Sequence, residues 1–349
     1  MGLKLGPGQV QVDLLVAELQ RPAFAVIHRG EFLGFHSKRV FIKRQCCAYV
    51  GYCQNQVIQG ADFWCHSELS FPPWAPNLRL MKDDAPIPPR RQSDIMDPAR
   101  AAAFQVALAQ EPDIETGSRL PPFFHQLYFW DPQPPARLGR DSHPKTGIGF
   151  IPDLGLPRRM WAGGQLEFHT DLRAGIPAEM TSYIESTSLK QGRTGSLGFV
   201  KLRQEITQNG QLCTTEWRDL VYREDPAPDE AKPVPPTART DEAHAEEVSF
   251  DSTLLFRYSA LTFNGHKIHY DLDYCQNVEG YPGLVVHGPL LAQQLMLLAE
   301  RQMGPIKRFS FRATAPLMHT ESATLCWGGD GTLWVRAPDG RQCMIAEAE

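Results

Sequence analysis

The chain has 349 residues, 42% hydrophobic and 21% charged, an ordinary globular composition with length for two domains or three. Lys and Arg number 35 against 40 Asp and Glu, and this net charge of -5 argues against a general nucleic-acid binder, because phosphate contacts need clustered cations. The longest apolar stretch, 283–299, contains His287, Gln293 and Gln294 and is too short and too polar to span a bilayer, so no membrane association is expected.

Positions 1–20 carry no charged-then-apolar leader, and the eight cysteines have no framework spacing. Reduced thiols in the cytoplasm are expected, or in the mitochondrion if the source is eukaryotic. Residues 1–95 hold Cys46, Cys47, Cys53 and Cys65 but show neither clear periodicity nor a motif, and they stay unassigned. With His66 these cysteines fit no standard zinc finger, so no metal is expected. Two proline-rich stretches, 71–91 and 225–248, read as linkers. They set off a middle segment, 98–224, from a last segment, 249–349.

The middle segment opens with a predicted helix over 98–110, with Asp97 as N-cap, Pro98 in the first turn and Phe104, Val106 and Leu108 to bury. Further on, 195–206 and 212–222 alternate around Gln208-Asn209-Gly210-Gln211, a hairpin signal. In the last segment 253–258 reads as a strand. A helix is predicted over 287–302, where Leu290, Leu291, Gln294, Leu295 and Leu298 recur at helical spacing. Strand-like runs follow at 308–313, 323–327, 332–336 and 342–347. One long helix followed by antiparallel strands predicts an α+β fold in which a sheet wraps a helix.

The sequence has no Gly-x-Gly-x-x-Gly opening a helix, no P-loop, no His-Glu-x-x-His and no Gly-x-Ser-x-Gly, which argues against dinucleotide enzymes, NTPases, zincins and α/β-hydrolases. Chemistry-bearing residues concentrate in Arg257-Tyr258-Ser259-Ala260-Leu261-Thr262-Phe263-Asn264-Gly265-His266-Lys267-Ile268-His269-Tyr270-Asp271. A second stretch, Glu279-Gly280-Tyr281-Pro282-Gly283-Leu284-Val285-Val286-His287-Gly288-Pro289-Leu290, puts a glycine at a helix start. Its N–H has no intrahelical partner, and the helix dipole makes that end attractive to a developing oxyanion.

These two stretches resemble the MaoC-like hot-dog hydratases and dehydratases that act on acyl thioesters. The nearest likeness is to the two-domain branch of the mesaconyl-C4-CoA and itaconyl-CoA hydratases and the type 2 hydroxyacyl-thioester dehydratases. Gly139-Arg140-Asp141-Ser142-His143-Pro144 and Leu156-Pro157-Arg158-Arg159-Met160-Trp161-Ala162-Gly163-Gly164 extend the resemblance through the middle segment. It runs from about Pro98 to Glu349, and Met96 is where a chain confined to it would begin. It implies a tandem hot-dog fold, each domain a long helix wrapped by antiparallel sheet. The 249–349 domain would be catalytic and the 98–224 domain supporting.

The family motif is an Asp or Asn five residues before a His, and Asn264 and His269 are its one occurrence here. By the resemblance His269 would move the proton, Asn264 would hold the water, and the Gly288 N–H would polarise the thioester carbonyl. Single-domain relatives place an ionisable Asp where this chain has Asn264. His269 would then act as both base and acid, or His266 or Asp271 would assist, giving a pH–rate profile governed mainly by one imidazole. Arg257, His266, His287, Arg158 and Arg159 are candidate substrate-binding residues, the two adjacent arginines for CoA phosphates or a substrate carboxylate.

Each of these has a plainer reading. Asn264 fits a turn, Arg257 an ion pair, His266 a structural hydrogen bond, His287 packing at the helix start, Gly288 close helix packing, and Arg158 and Arg159 a solvated pair. Asp141 and His143 read as loop-stabilising, and Trp161 as core. The expected activity is reversible hydration of an enoyl-CoA, with a short branched dicarboxyl-CoA such as mesaconyl-C4-CoA (3-methylfumaryl-CoA) as substrate. CoA enters as part of that substrate, no cofactor is expected, and a homodimer is left open. The rivals are a hot-dog thioesterase and a non-catalytic acyl-thioester binding module.

Overall fold

The computed structural model describes residues 87–192, 195–225 and 234–349 in full. Upstream of these it describes only the backbone of short antiparallel strands between positions 2 and 57. The chain divides into two compact units, Met1–Asp84 and Ala85–Glu349. In the first unit Phe24–Ile27 pairs with Ala48–Cys53, which pairs with Gln56–Val57, and Phe32–His36 pairs with Arg39–Ile42. The side chains of Cys46, Cys47, Cys53, Cys65 and His66 lie outside the described residues.

The second unit is built on one ten-stranded antiparallel sheet. Its first half contains β1 (Arg90–Asp94), α1 (Pro98–Ala107), β2 (Arg158–Phe168), β3 (Ala178–Gly192), β4 (Gly195–Gln208) and β5 (Gln211–Arg223). Its second half contains β6 (His244–Ser249), α2 (Ser252–Thr262), α3 (Gly288–Met303), β7 (Arg308–Ala313), β8 (Ser322–Trp327), β9 (Thr332–Arg336) and β10 (Gln342–Ala348). The strand order is β6-β8-β9-β10-β7-β2-β5-β4-β3-β1. Within each half the order is therefore the same: first, third, fourth, fifth, second. The unit is a tandem hot-dog, one topology used twice.

The halves join where β7 pairs with β2, from Arg308↔Glu167 to Arg312↔Gly163. A Cβ on Gly163 would sit 2.5 Å from the Phe311 carbonyl oxygen, so a glycine is what lets the strands approach. In the second half α3 buries Leu290, Leu291, Leu295, Met296 and Leu298 against a sheet face carrying Phe309, Leu325, Leu333, Val335 and Met344. That face follows from the leucine spacing. Between the central strands of the first half, Asn209 and Gly210 take positive φ values of 50° and 76°, closing the expected hairpin.

Four expectations need correction. The 253–258 run is helical, within α2. Its buried residues, Leu255, Tyr258 and Ser259, recur at helical spacing, and the Asp251 carboxylate caps the helix from Leu254 N–H at 2.7 Å. A short apolar run does not by itself separate helix from strand. The stretch read as the second linker ends in β6, and the range left unassigned at the start contains β1. Both are edge strands with the polar sequences His-Ala-Glu-Glu-Val-Ser and Arg-Arg-Gln-Ser-Asp, and charged edges protect a sheet without looking like strands. Finally, the long helix belongs to the second half alone. In the first half α1 has ten residues, and 108–157 is irregular apart from two single turns. Among the described residues no helix is long and apolar enough to cross a membrane.

Candidate active site

Two loops of the second half meet at the N-terminus of α3. After α2, Phe263 turns the chain with φ 53°, and Asn264 N–H donates to Ser259 O at 2.9 Å. The Asn264 side-chain oxygen accepts the His266 N–H at 3.1 Å, an Asx turn that sends the next residues inward. His269 is 6% exposed, and its Nδ1 lies 2.7 Å from the Val285 carbonyl oxygen. A carbonyl only accepts, so Nδ1 carries the proton and Nε2 keeps its lone pair. Val285 N–H donates back to Ile268 O at 2.9 Å, pinning the two loops together.

His287 caps α3 and is fully buried. Its ring stacks on that of His269 with centroids 3.6 Å apart, and its Nε2 lies 2.9 Å from Ser259 Oγ. Gly288 follows as the first residue of α3, so its N–H has no intrahelical acceptor. A Cβ there would meet only Trp161 O at 3.8 Å, an ordinary contact, so close packing does not explain the glycine.

The first half supplies a third loop. Asp141 accepts the His143 N–H at 3.0 Å and faces His143 Nδ1 at 3.2 Å, while its backbone carbonyl accepts the Lys267 N–H at 3.1 Å. A Cβ on Gly265 would lie 3.1 Å from Ser142 O, so the loops touch backbone to backbone. The His143 ring meets that of His266 at 4.7 Å, and His266 meets His269 at 5.4 Å. Four imidazoles thus form a row: His143, His266, His269, His287.

Burial governs the protonation of this row. It pushes His269 down to about 3, against the upward pull of the Val285 hydrogen bond. Burial also lowers His266 and His287, and neighbouring imidazoles lower them further. His143 is lowered by burial and by the positive charge of Arg159, with Asp141 pulling upward. Burial opposes ionisation of Asp141, but the hydrogen bonds from His143 hold the carboxyl below its usual range. The row is neutral at neutral pH. Asp141, His143 and His266 each offer a ligand atom within 4.8 Å of the others, a grouping open to a cation, although Asp141 and His143 already bond to each other.

A cavity of about 460 Å³ opens at the His143 end of this row, the one imidazole of the four that borders it, under the first-half sheet where no long helix lies. Asn264, Tyr258 and Pro289 border it from the second half, and His143, Arg159 and Tyr222 from the first. Deeper in its wall Arg218 holds the buried Glu216 with Nη2 at 2.8 Å, and Glu216 lies 2.9 Å from His125 Nε2. The Arg218 guanidinium also lies over the Trp161 ring, which borders the cavity as well as packing on the core.

The structure brings together Asn264, His266, His269, His287 and Gly288. It separates the arginines. Arg158 and Arg159 are neighbours on β2 and point to opposite faces. Arg158 is ion-paired with Glu279, whose carboxylate also accepts from the Tyr274 hydroxyl at 3.1 Å, and it does not border the cavity. Arg159 borders it. Arg257 projects from the exposed face of α2, whose inward positions are Leu255, Tyr258 and Ser259, so it takes no part in the site. Asp271 does not assist either, because its side chain caps a helical turn at Tyr274 N–H and pairs with Lys267. The carboxylate beside the imidazoles is Asp141. Tyr222, Gln204 and Arg218 had no sequence signal, since they reach the site from strands of the other half.

Known proteins resemble this chain in sequence and in fold. A profile of the hydroxyacyl-thioester dehydratase type 2 family matches residues 123–319. A mesaconyl-C(4)-CoA hydratase of Chloroflexus aurantiacus is 44% identical over 236 residues, 66% of this chain and 84% of that protein. A mitochondrial hydroxyacyl-thioester dehydratase type 2 of Schizosaccharomyces pombe is 30% identical over 251 residues, 62% of this chain and 80% of that protein. Among solved structures, HtdX of Mycobacterium tuberculosis superposes with a TM-score of 0.53 at 17% identity, covering 75% of this chain and 99% of that one, a likeness of fold. The chain belongs to the hydroxyacyl-thioester dehydratase type 2 family.

Proposed function

We propose that the protein adds water reversibly across the double bond of an enoyl-CoA thioester, with a short branched dicarboxyl-CoA such as mesaconyl-C4-CoA as substrate. One observation carries this reading. A neutral imidazole with a free Nε2, His269, is fixed at the helix end where the Gly288 amide lacks a partner, next to a cavity bordered by Asn264 and Pro289. The substrate class is supported by the 44% identity to a protein named mesaconyl-C(4)-CoA hydratase.

In this mechanism His269 Nε2 takes a proton from water as the water oxygen bonds to the β-carbon. The π electrons move toward the thioester, and the oxygen that gains charge meets the Gly288 N–H at the positive end of α3. His269 then returns that proton from Nε2 to the α-carbon and is neutral again, so one water has been added with no change in oxidation state. Asn264 has its oxygen committed to the Asx turn, so its Nδ2 group is what orients the water. His287 stays neutral beneath His269, since two stacked imidazolium rings would repel. No redox group is required, and coenzyme A enters only with the substrate.

The Asp141–His143 pair gives this proton a second carrier: with Nδ1–H held by Asp141, neutral His143 can accept a proton at Nε2 and return it to the α-carbon. His143 borders the cavity and Asp141 stands behind it, supplying the ionisable carboxylate that Asn264 does not. Enoyl-CoA incubated in water labelled with heavy oxygen tests the reading. Label on the β-carbon of an intact thioester is expected. Label in a free acid would mean hydrolysis and would contradict it.

A further inference from the structure

We infer that Arg159 and Tyr222 form the subsite that takes the free carboxylate of a dicarboxylic acyl thioester, and so select the substrate. The two are direct cross-strand partners on β2 and β5, which places their side chains on one face of the sheet. Both border the cavity that Asn264 and His143 border.

Other cations of this cavity are already engaged. Arg90 pairs with Asp131 at 2.6 Å and Arg218 with Glu216, while Arg137 and Lys145 donate to the carbonyls of Ile148 and Ala136. Among the described residues Arg159 has no carboxylate or carbonyl partner. The nearby carboxylate, Asp141, is held by His143.

Tyr222 gives a second, independent observation. It is 2% exposed, yet its hydroxyl has no hydrogen-bond partner among the described residues. A buried hydroxyl without a partner costs about 1–3 kcal/mol, which a ligand oxygen would offset. A planar guanidinium beside a phenolic donor fits the two oxygens of a carboxylate, which accept and do not donate. Residues of loop 143–151 also border this cavity.

The subsite deepens the hydratase reading and rests on it for its place in catalysis, but its binding test does not need turnover. The probes are succinyl-CoA and butyryl-CoA, which share chain length and coenzyme and differ in the terminal carboxylate. Isothermal titration of the wild-type protein is expected to show succinyl-CoA bound at least ~10-fold more tightly, in keeping with charge-assisted hydrogen bonds. R159Q is expected to remove the preference by weakening succinyl-CoA alone. Y222F, which keeps the ring and its packing, is expected to narrow it by a factor of about 5. Thermal melts of both variants confirm that they fold, and R159K retains part of the preference if R159Q is unstable. No wild-type preference, or equal weakening of both probes by R159Q, as a contact to the coenzyme phosphates would produce, overturns the proposal. A preference for succinyl-CoA in a protein that fails to hydrate any enoyl-CoA would sink the hydratase reading and leave the subsite standing.

Discussion

The rings of His269 and His287 lie face to face, 3.6 Å between centroids and 20° between planes. His287 in turn is held by Ser259, and His269 by the Val285 carbonyl, so neither ring can turn without breaking a buried hydrogen bond. The stack fixes the one free imidazole nitrogen of His269 at the start of α3. It also makes the pair intolerant of charge.

Substitution of His269 by Gln removes the proposed base while keeping a hydrogen-bond donor toward Val285. Hydration should fall by about 10²–10⁴-fold, the usual contribution of a positioned acid–base group. Binding of succinyl-CoA should stay within a few-fold of wild type. Single-turnover and titration measurements on H269Q check both. Wild-type turnover in H269Q would remove His269 from the mechanism.

The pH dependence differs from that of an unperturbed imidazole. Burial pushes His269 down to about 3, so in the free enzyme it is a neutral base throughout the neutral range. The kcat/KM profile should therefore be flat from about pH 5 to 8, with any acid limb well below the ordinary imidazole value of about 6.5. A limb near 6.5 would show that the acting imidazole is solvated.

Stability should depend on pH in a stated direction. His143, His266, His269 and His287 are all lowered by burial, so between about pH 6.5 and their folded values the unfolded chain binds more protons than the folded one. Their stabilisation is complete above that range and is lost as pH falls through it. Tm should drop from pH 7 toward pH 4, and H266N should flatten the slope. A Tm that rises on acidification would contradict the neutral row.

Asp141→Asn keeps the shape of the loop and removes the charge paired with His143. If the pair delivers the α-carbon proton, kcat should fall by about 10- to 100-fold with KM little changed. A loop-stabilising role alone would lower Tm and leave kcat intact. The same assay with a chelator addresses the ligand geometry of Asp141, His143 and His266: activity should be unaffected by EDTA. Loss with EDTA and recovery with zinc would assign these residues to a metal.

At the junction of the halves, Gly163→Ala would put a Cβ at 2.5 Å from Phe311 O. Overpacking of this kind costs about 1–3 kcal/mol, so Tm should fall, and the site should suffer because β2 carries Arg159. Differential scanning calorimetry of G163A checks this. An unchanged Tm would mean that β2 and β7 do not pair as described.

Much of the second half was readable from its residues. The leucines of α3 recur at helical spacing, and β7 to β10 are apolar runs between turn residues, so their limits were expected within one or two positions. Polar edge strands hid β1 and β6. The short apolar run 253–258 disguised α2. The resemblance singled out Asn264, His269 and Gly288, and the structure brings their loops together. It could not show that Asp141 and His143 cross from the other half, because hydrogen bonds between segments far apart in the chain leave no local pattern. The split of Arg158 from Arg159 was available in principle: adjacent residues of a strand face opposite sides.

The most direct test follows enoyl absorbance and free thiol together in one reaction with mesaconyl-C4-CoA or crotonyl-CoA, for the wild type and H269Q. The account predicts that absorbance falls without release of thiol in the wild type, and that H269Q abolishes the change. Stoichiometric free CoA, or an unimpaired H269Q, would contradict it.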